Sequence, residues 1–199
     1  MAQDRIEVNG RAISALKKIY LMLNKPRGVV TSVVDEKGRE TVYDLLPEVL
    51  PWLGPVGRLD KASEGLLLLT NDSEWADRVL APKTHLEKTY HVQVGAMIDA
   101  KMIEKLIRGI PDQGEWLKAK HIRSLRSGEK NMWLEMVLDE GKNRQIRRMF
   151  AALQIEVLQL VRVAIGPLQL GELAKGAVRQ LSESEKHSLD TAMNLCNQR

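Results

Sequence analysis

Twelve residues rich in glycine and charge, 54–65, run straight into Leu66-Leu67-Leu68-Leu69. An apolar run of strand length with no polar alternation predicts a strand buried on both faces. Upstream, Ile19–Leu23 and Val29–Val34 predict two strands separated by Asn24-Lys25-Pro26-Arg27-Gly28. Residues 4–13 predict a strand and a tight turn at Asn9-Gly10. A short helix is expected after Thr41, closed by Pro47 and Pro51. Ser73 is placed to cap a helix that runs through Leu80 and stops before Pro82. Residues 87–95 alternate as a strand does. Asp99 opens a helix with Met102, Ile103, Leu106 and Ile107 on one face and Gly109 at its end. Residues 116–125 and 131–138 read as strands, and a turn at 140–143 leads into a helix over 144–153. Further strand signals lie at 155–165, 168–170 and 177–181, and Ser182-x-x-Glu185 is a capping box for a last helix. Many strands adjacent in sequence, with helices between them, predict an α+β fold with a largely antiparallel sheet.

At 199 residues the chain is long enough to bury a core, and its 4% aromatic content makes that core mostly Leu, Val, Ile and Met. A net charge of +4 permits an anionic partner without demanding one, so the placement of the charges matters more than their sum. The single cysteine, Cys196, allows neither an intramolecular disulfide nor a cysteine zinc site, which fits a reducing cytoplasm. Met1–Gly10 lacks the apolar segment of a signal peptide, and no apolar run approaches the ~20 residues that span a bilayer. A soluble, cytoplasmic, monomeric protein without a membrane partner is expected.

There is no phosphate-binding Gly-x4-Gly-Lys-Ser/Thr loop, no dinucleotide glycine fingerprint and no serine nucleophile elbow. His85, His91, His121 and His187 show no metal-ligand spacing. Neither a cofactor nor a metal is indicated. Two stretches remain. In the first, Gly57-Arg58-Leu59-Asp60-Lys61-Ala62-Ser63-Glu64-Gly65, a carboxylate sits on a glycine-flanked loop directly before the apolar run, a placement common among functional residues. The plainer reading of Asp60 is a turn aspartate paired with Arg58 or Lys61, and a glycosidase-like pair with Glu64 is a further one. Lys25-Pro26-Arg27-Gly28 is likewise either a simple turn or part of a site.

The second stretch is 140–153. On a helix, Ile146, Met149, Phe150 and Leu153 share the apolar face, Arg144 and Arg148 stack on the opposite face at i and i+4, and Arg147 lies at the border. Two arginines stacked near a helix N-terminus would make a phosphate site, whereas a solvated basic face is the commoner use of such a cluster.

These motifs together resemble the RsuA-like family of ribosomal-RNA pseudouridine synthases. The resemblance covers nearly the whole chain in order: Leu23 to Gly28, Gly57-Arg58-Leu59-Asp60 with Ser63 to Leu67, Lys88-Thr89-Tyr90, Glu140 to Met149, and Leu160-Val161-Arg162 through Ile165-Gly166-Pro167-Leu168. It implies a pseudouridine synthase fold, a mainly antiparallel mixed sheet in two lobes with a central catalytic cleft. It implies that Asp60 is the catalytic carboxylate, Tyr90 the ring that stacks on the target base, and Arg147 the basic partner of the aspartate. Arg58 would help hold the RNA or the flipped nucleotide, and Arg144 and Arg148 would bind phosphates. Uridine isomerisation involves no net oxidation or group transfer, in keeping with the missing cofactor motifs. The expected partner is ribosomal RNA or a pre-ribosomal particle, and the Asn143-Arg144 pair leans toward large-subunit members.

Many family members carry a small RNA-binding domain of the S4 type ahead of the catalytic part. Residues 1–18 are expected to be a short N-terminal extension, at most the end of such a domain, with the catalytic domain over 19–199. The rival from another class is a non-catalytic ribosomal-RNA-binding assembly factor that keeps the fold.

Overall fold

A computed structural model describes residues 7–8, 11–12, 17–33 and 38–196. In chain order the strands and helices are β1 (Glu7–Val8), β2 (Arg11–Ala12), β3 (Tyr20–Lys25), β4 (Gly54–Val56), β5 (Glu64–Thr70), α1 (Ser73–Leu80), β6 (Lys88–Val94) and α2 (Ala100–Arg108). There follow β7 (Ile110–Asp112), β8 (Glu115–Leu117), β9 (His121–Ser127), β10 (Met132–Leu138), α3 (Gln145–Ala151), β11 (Val157–Ile165), β12 (Leu168–Gln169), β13 (Val178–Gln180) and α4 (Glu183–Cys196). The fold is α+β. A nine-stranded sheet runs β13-β3-β5-β11-β6-β10-β9, with β4 added to β5 and β12 to β11. Among the described residues no helix is long and apolar enough to cross a membrane.

The sheet is antiparallel at every pairing but one. β5 and β11 are parallel, and they touch through only two register pairs, Glu64 with Val161 and Gly65 with Arg162. Farther along that edge of β5, β4 pairs with Leu68 to Thr70. This short seam divides the molecule into two lobes. In one, Val92, Leu134 and Met136 of the sheet meet Leu106 of α2 and Ile146, Met149 and Phe150 of α3. In the other, β5 is covered on both sides: Leu66 and Leu68 face Trp75 and Val79 of α1 and Leu189 of α4, while Leu67 and Leu69 face Val29, Val42, Leu53 and Leu59. Every residue of β5 is buried, as its unbroken apolar run predicts.

Local signals place most boundaries. Asp99 accepts from Met102 N at 2.8 Å to open α2, Gly109 closes it, and Ser182 with Glu185 caps α4 reciprocally. The cap of α1 is Asp72 rather than Ser73, one residue earlier than expected. Two strand expectations need correction. Residues 116–125 divide between β8 and β9, and 29–33 contribute a single bridge, Val30 to Thr41, with the Thr31 hydroxyl bonded to the Leu59 backbone. β1 and β2 pair as expected of a hairpin, while Asn9 and Gly10 lie outside the described residues.

The seam predicts its own weak point. Gly65 has φ of +102°, and a Cβ there would lie 2.2 Å from the Arg162 carbonyl oxygen. Gly65→Ala therefore forces β5 and β11 apart and should lower unfolding stability by about 2 kcal/mol or more, as read by urea denaturation.

Candidate active site

The cleft between the lobes has a volume of about 490 Å³, and Arg58, Asp60, Lys88, Tyr90, Arg144 and Arg162 are among the residues that line it. Asp60 stands on the loop that enters β5. Leu59 is buried beneath it, so Arg58 and Asp60 on either side face outward. The loop backbone is held from outside at nearly every step. Thr31 Oγ1 donates to Leu59 O at 3.0 Å and accepts from Leu59 N at 3.4 Å. Gly28 N donates to Lys61 O at 2.8 Å. Arg147 Nη2 donates to Ala62 O at 2.9 Å, and Lys25 Nζ to Ser63 O at 2.8 Å. The Lys25-Pro26-Arg27-Gly28 segment is thus a turn and a brace for the site at once.

The residue that meets the Asp60 carboxylate is Arg144, with Nη1 3.0 Å from Oδ2. It lies outside the helix as the cap of α3, in a left-handed conformation with φ of 47°. That geometry swings its side chain off the helix face where stacking on Arg148 was expected. Arg147 occupies the border position but contacts backbone: Ala62 O, and Val157 O at 3.1 Å through Nη1. Its Nε is buried without a partner among the described residues. Burial draws the Arg147 pKa down, Arg144 and Arg27 add to this, and Asp60 opposes it. A guanidinium stays charged regardless. Arg147 therefore fixes the aspartate loop and stands near the carboxylate, while the ion pair belongs to Arg144.

Arg148 is placed differently from the expected phosphate ligand. Its Nε and Nη1 bind Asp112 and Glu115 at 2.6 and 2.5 Å, and Nη2 reaches Asp112 O at 3.1 Å. It ties α3 to the β7–β8 hairpin. Glu64 is no second catalytic carboxylate either. It is 3% exposed, and its oxygens accept from Gln159 Nε2 at 3.0 Å and from Lys175 Nζ. Tyr90 is half-buried on β6, directly across from Arg162 on β11, and packs against the cores of both lobes. Turn chemistry and the family motif over Leu23 to Gly28 both mark Lys25 and Arg27 in the sequence, and neither signal foretells the bond from Lys25 to the aspartate loop.

Comparison of the whole chain with known proteins finds one group of enzymes. The family model described as RNA pseudouridylate synthase matches residues 19–152. A Bacillus subtilis relative named ribosomal large subunit pseudouridine synthase B is 39% identical over 184 residues, covering 92% of this chain and 75% of its own length. An Aquifex aeolicus protein named as an uncharacterized RNA pseudouridine synthase is 37% identical, over 96% of this chain and 78% of its own. Among solved structures, one described as a crystal structure of pseudouridylate synthase superposes with a TM-score of 0.74 at 36% identity, over 87% of this chain and 74% of that one. The chain belongs to the RNA pseudouridine synthase family, the isomerases that turn uridine into pseudouridine.

Two predictions follow from the braces. Burial pushes the Lys25 pKa down to about 8, against partial opposition from Glu64 and Asp60. The folded state then binds its proton less tightly than the unfolded chain, so this lysine destabilises the fold while charged. That penalty is present in full below pH 8 and is relieved as pH rises from about 8 toward the ordinary lysine value. Wild type should gain stability relative to Lys25→Met across that window in paired denaturation curves. Arg148→Ala should lower Tm by freeing the β7–β8 hairpin, yet leave the salt dependence of RNA binding unchanged.

Proposed function

We propose that the protein isomerises a uridine of large-subunit ribosomal RNA, with Asp60 as the catalytic carboxylate and Tyr90 beneath the flipped base. The observation that carries this reading is the Asp60–Arg144 pair, held open to the cleft by a loop whose backbone is fixed on all sides. Support for the substrate comes from the name of the Bacillus subtilis relative and from the Asn143-Arg144 pair in the aspartate's partner motif. Such an RNA places the enzyme in the cytoplasm, where ribosomes are assembled.

The target uridine must leave its stack, at a cost of a few kcal/mol, before any group can reach its glycosidic bond. Stacking on Tyr90 returns about 1–3 kcal/mol of this. Asp60 then attacks C1′, removes a C2′ proton, or adds to the uracil ring; each route needs an aimed carboxylate, and Arg144 aims it. Arg58, exposed at the cleft mouth, and Arg27, exposed beside the loop, offer positive charge to the phosphates that flank the target nucleotide.

The test is conversion of unmodified large-subunit ribosomal RNA, read by carbodiimide treatment and reverse-transcription stops. Wild type should give one new stop, and Asp60→Asn should slow conversion by about 10⁴-fold or more. Salt-sensitive binding with no stop from wild type, on RNA or partly assembled particles, would identify a non-catalytic assembly factor instead.

A further inference from the structure

Lys88 and Arg162 sit on the floor of the cleft with no task in the chemistry above. The strands put both beside Tyr90. Lys88 and Tyr90 are two apart on β6 and so project from one face, and Arg162 lies opposite Tyr90 on β11. Arg162 is only 6% exposed. Its Nε donates to Leu66 O at 2.8 Å, while Nη2, closed off from solvent, has no partner among the described residues. Lys88 is half-buried, and burial first, then Arg162, draws its pKa down, with Asp139 in partial opposition.

The carboxylates nearby do not neutralise this pair. Asp60 is held by Arg144, and Glu140 by Gln145 and Lys142. Asp139 offsets only part of the effect that burial and Arg162 have on Lys88. Two cations kept close together in a water-poor cleft, one with an orphaned N–H, are complementary to negative charge.

We propose that Lys88 and Arg162 form a cationic seat for the carbonyl oxygens of the flipped uracil, stabilising the negative charge those oxygens carry as the N1–C1′ bond breaks. The proposal rests on the reading of Asp60 and Tyr90 given above. When that bond breaks, its electron pair leaves on N1 and is shared with O2 and O4. The sugar meanwhile bonds to the Asp60 carboxylate through C1′ or gives it the C2′ proton. If the carboxylate adds first to ring C6, the displaced pair reaches O4. Every route loads O4, and the two that begin at the sugar load O2 as well. The ring then turns and C5 bonds to C1′ as the Asp60–C1′ bond breaks, or as Asp60 returns the proton to C2′ of the glycal; after ring addition the C6–Asp60 bond is eliminated last. C5 loses its proton and N1 gains one, so the carboxylate is regenerated and charge returns to zero with no oxidant or reductant. Donors aimed at developing charge in a closed site are a large source of rate enhancement.

Single-turnover conversion at saturating RNA, together with Kd measured across a salt series, tests this. Lys88→Met should slow conversion by about 10²-fold while the RNA Kd and its salt slope stay at wild-type values. Arg162→Lys, which keeps the charge, should retain at least about tenfold more activity than Arg162→Met at matched Tm. Rates within about threefold of wild type would overturn the proposal, as would a loss confined to Kd with a salt slope shallower by about one, the mark of a phosphate contact. If Lys88→Met fails to fold, Lys88→Gln carries the same comparison. A wild type inert on every ribosomal RNA would remove the underlying reading as well, whereas an active wild type matched by an equally active Lys88→Met would remove this proposal alone.

Discussion

The hydrogen bonds that reach the backbone of residues 59–63 from elsewhere in the chain organise this molecule. A carboxylate on an unsupported loop samples many directions, and catalysis by orientation fails when the reacting group is misplaced by an ångström. Here the Leu59 amide and the carbonyls of Leu59, Lys61, Ala62 and Ser63 are each engaged from outside the loop. The donors come from both lobes: Lys25 from the end of β3, Gly28 and Thr31 from the segment after it, and Arg147 from α3. The loop therefore cannot shift without disturbing either core. Burying the Lys25 ammonium opposes stability, and the two carbonyls it satisfies, Ser63 O and Pro26 O, explain why it is tolerated.

Much of this was legible in the sequence, and what was not has physical reasons. The four leucines of β5 report a strand with two apolar neighbours, and α3 shows its apolar face at Ile146, Met149 and Phe150 because tertiary packing kept the helical period. The arginines were harder. Helical periodicity puts Arg144 and Arg148 side by side, but it assumes that both belong to the helix, and the left-handed backbone at Arg144 breaks that assumption. Arg148 was read as free because its acidic partners lie more than thirty residues upstream, on a hairpin whose approach no local pattern records. Val29 to Ser32 have the composition of a strand, and yet Thr31 has a more specific partner in Leu59. Composition reports average burial, and it is blind to a single long-range bond.

The seam between β5 and β11 links these local details to the shape of the cleft. With only two register pairs joining them, the half-sheets diverge past Gly65, and the opening between them is where Asp60, Tyr90, Lys88 and Arg162 converge. Gly65 brings the Arg162 backbone within reach, and the Arg162 side chain in turn bonds the carbonyl of Leu66, the next residue along β5. One closely approached glycine thus sets both the width of the joint and the depth of the pocket floor.

The left-handed backbone at Arg144 carries a further implication. A side chain in that region costs about 1–2 kcal/mol that glycine would not incur. Selection for backbone geometry alone would therefore drift toward glycine or asparagine at this position, and in the reading proposed for Asp60 the need to hold its carboxylate opposes that drift. If Asp60 is the catalytic carboxylate as proposed, residue 144 is a point where stability and catalysis pull in opposite directions, and a thermostabilised version chosen without an activity screen would lose its arginine there early.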